Sequence, residues 1–176
     1  YKKIRSKEDL YLPKYFKDKY DLAKIISRFV DSLFYLYASN QGKIGWCENT
    51  PSSILHYSDL KDFFPNAYFV NVVRNPVAVA CSLMDRDWAP NDRSSIVNYL
   101  LPLYQRLIEV DRNASINSKK YKLIKYEYLE SSYGIEALYD LIGLQPSKDV
   151  IEKFEPIGAY AWKKRHPNST IKYLEE

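Results

Sequence analysis

The sequence predicts an α/β domain whose mostly parallel sheet is covered by helices on both faces. Residues 67–73 (A-Y-F-V-N-V-V) and 121–126 (Y-K-L-I-K-Y) are rich in β-branched and aromatic side chains, which is typical of buried strands. An amphipathic helical pattern at residues 96–110 separates them. Strands joined through a helix of about ten residues or more pair in parallel through right-handed crossovers.

The other elements follow from periodicity and from helix-breaking residues. Apolar side chains recur every three or four positions over residues 22–37, and residues 43–48 (K-I-G-W-C-E) read as a short strand. Asn75 is a natural N-cap, and Pro76 suits the first position of a helix. We predict helices at residues 22–37, 52–64, 76–88, 96–110, 135–142 and 150–154, strands at 43–48, 67–73 and 121–126, a loop at 111–120, and an irregular basic tail at 156–176. With no repeat or linker, residues 1–176 are predicted to form a single domain.

Composition and charge narrow the possible functions. With 26 Lys and Arg against 22 Asp and Glu, the net charge of +4 favours an anionic partner, but it lacks the density expected of a nucleic-acid binder. Cys47 and Cys81 belong to no CxxC motif or Cys/His cluster, so no metal is expected. No apolar run is long enough to span a bilayer. We therefore expect a soluble segment that acts without metal and binds no nucleic acid.

Polar clusters follow the predicted strands, and the cluster around Arg74 is the most informative. Ligands of open α/β sheets bind beyond the carboxyl ends of the strands. Arg74 stands between a buried strand and a helix N-terminus, where free backbone N–H groups favour a phosphate or sulfate group. Ser82 lies roughly 10 Å along that helix, so a ligand contacting both must lie beside the helix. In the alternative, Arg74 pairs with a local carboxylate and Ser82 faces solvent.

Four further features each have two interpretations. Glu48 is either a general base at the same crevice or an ordinary turn residue. His56 is expected to be structural rather than catalytic. Tyr126 is a stacking platform or simply one of 17 tyrosines. The run W-K-K-R-H at residues 162–166 either binds a phosphate or is a solvated tail.

Several segments match, in order and spacing, the motifs of one known family. They are G-W-C-E-N-T-P at residues 45–51, F-P-N-A-Y-F-V at 64–70, V-R-N-P at 73–76 followed by Ser82, and Y-E-Y-L at 126–129 with the helix after it. In this combination the chain resembles the family of sulfotransferases that use 3′-phosphoadenosine 5′-phosphosulfate (PAPS).

The resemblance implies a three-layer, P-loop NTPase-like sheet and metal-free transfer of a sulfonate group from PAPS to a hydroxyl or amine. Arg74 and Ser82 would bind the 3′-phosphate, and Tyr126 would lie against the adenine. Lys163 and Lys164, or the neighbouring arginine, would also reach the 3′-phosphate. The product would be adenosine 3′,5′-bisphosphate, and the acceptor a small molecule or a glycan.

The chain departs from the family pattern at two points. Asn49 stands where the family usually has a lysine near the leaving group, and it can still donate a hydrogen bond there. Glu48, as a possible base, and Asn49 are the two catalytic candidates. The family's Gly-rich 5′-phosphosulfate loop does not occur in these 176 residues, which contain only 5 glycines. We expect that loop and its strand to lie upstream of Tyr1, and the fragment alone to be inactive.

These departures keep other hypotheses open. The main alternative is a non-catalytic, sulfotransferase-like module that binds a nucleotide or another anion. A different P-loop kinase is less favoured, because the magnesium-binding acids it needs are not identifiable. The acceptor is not defined by these residues. A cytoplasmic location is expected, or the Golgi lumen if an upstream segment carries an anchor.

Overall fold

A computed structural model describes residues 15–90, 92–152, 159–166 and 172 of the chain. The chain divides into two units, Tyr1–Ala67 and Tyr68–Glu176. In the part that is described, none of the helices combines the length and the hydropathy needed to cross a bilayer.

The first unit contains helix α1 (Lys19–Asn40), a 3-10 turn at Ser53–His56 and helix α2 (Tyr57–Phe63), and α1 packs against α2. The carboxylate of Asp18 caps α1 by accepting hydrogen bonds from two backbone N–H groups, at 2.8 and 3.1 Å. The predicted helix at residues 22–37 is thus confirmed and is slightly longer than expected.

The strand predicted at residues 43–48 is wrong. This segment carries no regular structure, although Trp46 within it is well anchored. Its ring centroid lies 4.9 Å from that of Phe34 and 6.0 Å from that of Phe64, and its indole N–H donates to Asp31 over 2.9 Å. Of the apolar residues that suggested a strand, Trp46 packs against neighbouring rings, whereas Ile44 is 91% exposed.

The second unit is built on two parallel strands, β1 (Phe69–Val73) and β2 (Tyr121–Lys125). Their register runs from the pair Phe69 and Tyr121 to the pair Val73 and Lys125. Both strands and their parallel pairing were predicted. The unit is therefore of the α/β class, with a small parallel two-stranded sheet flanked by helices.

Within its described residues, the second unit also contains five helices. They are α3 (Pro76–Met84), α4 (Arg93–Asn117), α5 (Ser132–Ile142), α6 (Lys148–Glu152) and α7 (Trp162–Arg165), of which α4 and α5 pack against β2. Three predictions need correction: α3 ends before residue 88, α4 continues to Asn117 into the loop predicted at 111–120, and α7 forms a helical turn within the tail predicted to be irregular. Helix α4 continues because Ala114 is fully buried, and the polar side chains around it remain on the exposed side.

Helix α3 is packed against two other elements. Its Ala80 joins Ile96 and Leu100 of α4 in one buried cluster. Its Val77, Ala78 and Cys81 form a second cluster with Trp162 of α7. Burying a large aromatic side chain contributes about 2–3 kcal/mol, so α7 is firmly attached to α3. These contacts fix the helix that carries Ser82.

Candidate functional site

The peptide bond between Arg74 and Asn75, just beyond β1, is held on both sides. The hydroxyl of Tyr104, from α4, donates to the carbonyl oxygen of Arg74 over 2.7 Å. The N–H of Asn75 donates to Oε1 of Glu127 over 2.9 Å, and Glu127 belongs to the 3-10 turn that follows β2. Two side chains from two elements therefore fix the orientation of this peptide.

The start of α3 agrees with the sequence prediction in one respect and corrects it in another. The side-chain oxygen of Asn75 accepts from the N–H groups of Val77 and Ala78, at 2.9 and 3.4 Å, and Pro76 occupies the first position. Asn75 is thus the N-cap, as predicted. Because it already occupies these two N–H groups, they are not free to bind an anion, which must instead contact side chains beside the helix.

The guanidinium group of Arg74 is half-buried, and in the described part of the chain not all of its N–H groups have a hydrogen-bond acceptor. It lies 4.7 Å from the ring centroid of Tyr126, and its Nη2 donates to the carbonyl oxygen of Ala159 over 3.2 Å. Its Nε is buried without a hydrogen-bond partner within the described ranges. No carboxylate among those residues forms an ion pair with it. The alternative in which Arg74 pairs with a local carboxylate is therefore not supported, and a buried donor remains available.

Arg74 and Ser82 line the same pocket. Ser82 is half-buried rather than open to solvent, so the alternative interpretation of this residue is also not supported. The pocket has a volume of about 260 Å³ and is lined by two arginines, one serine and apolar residues. The lining residues are Arg74, Val79, Ser82, Leu83, Arg86 and Trp88. The pocket can thus hold an anionic group with direct contacts to arginine and serine.

A larger pocket, of about 590 Å³, opens at the beginning of β2 and holds none of the predicted site residues. Its lining mixes Asp111 and Asp140 with two lysines. Asp111 accepts a hydrogen bond from the hydroxyl of Tyr121, which in turn accepts one from the buried amide of Asn71, at 3.1 and 3.0 Å. These contacts connect α4 to the sheet, and we assign this polar group a structural role.

The basic segment at residues 162–166 packs beside α3. Asp85, which follows α3, lies 3.5 Å from Arg165 and 3.4 Å from His166. Lys163 and Lys164 are exposed, and the ammonium group of Lys163 lies 5.6 Å from the ring centroids of both Tyr160 and Trp162. Neither lysine lines the Arg74–Ser82 pocket. Their predicted role in binding a phosphate stays a prediction.

The catalytic candidates Glu48 and Asn49 lie in the first unit and are both exposed. Oε1 of Glu48 accepts from the N–H of Thr50 over 2.6 Å. Hydrogen bonds from Thr50 and Ser53 hold the pKa of Glu48 below its ordinary value. This carboxylate is consequently a weaker base than an ordinary glutamate. His56 is exposed at the end of its 3-10 turn, so the packed, structural role expected for it is not supported.

Two residues of the site were missed by sequence reasoning. Tyr104 was identified only as one of the apolar positions of a helix, and its hydroxyl contact is with a backbone group 30 residues away. Burial, followed by the charge of Glu127, raises the pKa of Tyr104 to about 12. Sequence reasoning assigned no role to Arg86, which the structure places at the edge of the pocket.

Comparison with known proteins identifies the family. A model described as the sulfotransferase family matches residues 5–147, which is more than half of the chain. The chain therefore belongs to the sulfotransferase family, as its resemblance to that family's motifs implied. The matched region includes Arg74, Ser82 and Tyr126 and ends before the basic segment. No curated protein and no solved structure gives a significant match.

Proposed function

We propose that this sulfotransferase uses PAPS as its donor and binds the 3′-phosphate of PAPS in the Arg74–Ser82 pocket. The observation that carries the proposal is the common pocket of these two residues, together with a buried Nε on Arg74 that lacks a partner in the described part of the chain. A phosphate oxygen supplies the acceptor that such a donor needs.

The reaction that we propose is a direct transfer. The acceptor oxygen or nitrogen attacks sulfur while the bond between sulfur and the bridging oxygen of the 5′-phosphate breaks. The electron pair remains on the phosphate, which leaves as adenosine 3′,5′-bisphosphate, and the acceptor proton passes to a base. Glu48 is our candidate for that base, and Asn49 for a hydrogen-bond donor to the leaving oxygen. The acceptor that we propose is a small molecule or a glycan.

We propose that Tyr126 binds the adenine of the donor. The guanidinium of Arg74 lies against the ring of Tyr126, so a ligand phosphate on Arg74 would lie near an aromatic face suited to adenine. We also propose that the two-stranded sheet belongs to a three-layer, P-loop-like sheet. Its parallel strands and flanking helices are compatible with that arrangement.

Ligand-induced stabilisation tests the proposal. Adenosine 3′,5′-bisphosphate is expected to raise the melting temperature of the purified protein more than ATP does. The variant Arg74→Ala should remove most of this difference, whereas Arg106→Ala, at an exposed position of α4, should keep it. Equal stabilisation by both ligands, unchanged in Arg74→Ala, would contradict the proposal.

The second candidate function is a binding module without catalysis. Two observations favour it: the family lysine is replaced by Asn49, and the pKa of Glu48 is shifted in the direction that weakens a base. Incubation of the complete protein with PAPS and a panel of phenols, sugars and amines separates the two. Release of adenosine 3′,5′-bisphosphate that depends on an acceptor supports the enzyme, and tight binding without release supports the module.

A further inference from the structure

We infer that Arg86 is the second cation of the Arg74–Ser82 pocket, and that the two arginines together select a doubly charged phosphate monoester. The inference rests on the proposed function, because it concerns how the same pocket recognises the 3′-phosphate. It adds a residue that lies twelve positions after Arg74 and four after Ser82.

The backbone of Arg86 is fixed at the edge of the pocket. Its N–H donates to the carbonyl oxygen of Leu83 over 2.9 Å, and its own carbonyl oxygen accepts from the N–H of Ala89 over 3.1 Å. Ala89 is buried, and Leu83 packs against the cluster between α3 and α4. The side chain of Arg86 is exposed, while the backbone to which it is attached is held by these two hydrogen bonds.

The charges around the pocket favour an anion. Arg74 and Arg86 are the charged residues that line it, and no carboxylate is among its described lining residues. Asp85 and Asp87 flank Arg86 in sequence, but neither of them lines the pocket. Asp85 is paired instead with Arg165 and His166. Its negative charge is therefore partly compensated by Arg165.

Two guanidinium groups suit a phosphate monoester better than a singly charged group. Each guanidinium can present two parallel N–H donors to phosphate oxygens. A phosphate monoester carries close to two negative charges at neutral pH, because its second pKa is about 6. A cyclic diester at the same ribose position carries one charge, so it benefits less from a second arginine.

Calorimetric titration of the purified protein tests the inference. The ligands are adenosine 3′-monophosphate, adenosine 2′,3′-cyclic monophosphate and adenosine 5′-monophosphate. The substitution Arg86→Gln is expected to weaken binding of the 3′-monophosphate about tenfold, the loss typical of one charge-assisted contact. Binding of the other two nucleotides should change less than about threefold, because they engage one arginine or neither. Arg86→Lys should give an intermediate loss, since lysine keeps the charge but not the paired donors.

Arg106→Gln serves as the matched control, because it removes an exposed arginine of the same unit outside the pocket. If Arg86→Gln behaves like this control while Arg74→Ala abolishes the preference for the 3′-monophosphate, the inference is wrong and the proposed function survives. An equal loss for all three ligands also overturns the inference. If the unsubstituted protein shows no preference for the 3′-monophosphate, the proposed function fails and the inference fails with it.

Discussion

The hydroxyl of Tyr104 donates a hydrogen bond of 2.7 Å to the carbonyl oxygen of Arg74, so α4 holds the residue that directly follows β1. Glu127 holds the other side of the same peptide through the N–H of Asn75. The pocket therefore depends on residues that do not line it, and their contribution can be measured separately from that of Arg74.

Removing the hydroxyl of Tyr104 should weaken both stability and binding. We expect Tyr104→Phe to lower the free energy of unfolding by about 1 kcal/mol, the net value of one hydrogen bond. It should also weaken binding of adenosine 3′,5′-bisphosphate more than that of adenosine 5′-monophosphate, because the orientation of Arg74 is less restricted. Urea unfolding and calorimetry check the two effects. Tyr99→Phe, at an exposed position of α4, should change neither.

Alkaline pH should destabilise the protein through Tyr104. Its pKa is raised from 10.0 to about 12, so above pH 10 the folded state binds more protons at this group than the unfolded state does. This contribution to stability is complete below pH 10 and is lost as the pH rises to about 12. We expect the stability difference between the unsubstituted protein and Tyr104→Phe to shrink over this range. A constant difference, measured by urea unfolding, would contradict the assignment.

The N-cap of α3 is expected to stabilise the second unit. Asn75→Ala should lower the free energy of unfolding by about 1 kcal/mol, because the N–H groups of Val77 and Ala78 lose their acceptor. Asn75→Asp keeps an acceptor and should retain most of the stability. Chemical unfolding of the two variants gives the comparison. Similar losses in both would mean that capping is not the cause.

Two tryptophans of the second unit should respond very differently to truncation. Trp162 is 2% exposed and packs on α3, so Trp162→Ala should destabilise the protein by about 3–5 kcal/mol. Trp88 is 75% exposed, and Trp88→Ala should change stability by less than about 0.5 kcal/mol. Thermal unfolding of the two variants measures the contrast. Comparable losses would show that α7 is not anchored to α3 as described.

The role proposed for Glu48 makes a specific prediction about pH. Hydrogen bonds lower the pKa of this carboxyl from 4.5. The carboxyl should therefore still be ionised, and able to act as a base, at pH 4.5. The acidic limb of the transfer rate should therefore lie below pH 4.5. Glu48→Gln should reduce the rate about 100-fold or more, as expected for a lost general base. Glu109→Gln, an exposed substitution on α4, is the control, and a rate unchanged in Glu48→Gln would exclude the role.

The sequence predicted both strands of the sheet, although Val72 and Leu123 are exposed in the structure and the strands are not buried throughout. Strands β1 and β2 were recognised because their β-branched and aromatic residues differ clearly from the flanking helices. Helix α4 was predicted too short because its last turns are polar, yet buried Ala114 and the contact between Asp111 and Tyr121 keep them in place. That contact is made only in the folded chain.

In the candidate site, too, the contacts between distant residues could not be predicted from the sequence. The position of Arg74 just before α3 and of Ser82 within it left open whether one ligand could contact both, and the structure shows that they line one pocket. Tyr104, Glu127 and Arg86 act through distant backbone groups or through a turn at the end of α3. No periodic pattern records such contacts.

The hydrogen bond from Arg74 to position 159 has a consequence for variation in this protein. The acceptor is a main-chain oxygen, so it is present whatever side chain the chain carries there. Ala159 itself is fully enclosed, so a bulkier side chain has no room. The space around the side chain, rather than the hydrogen bond, therefore limits which amino acids this position tolerates.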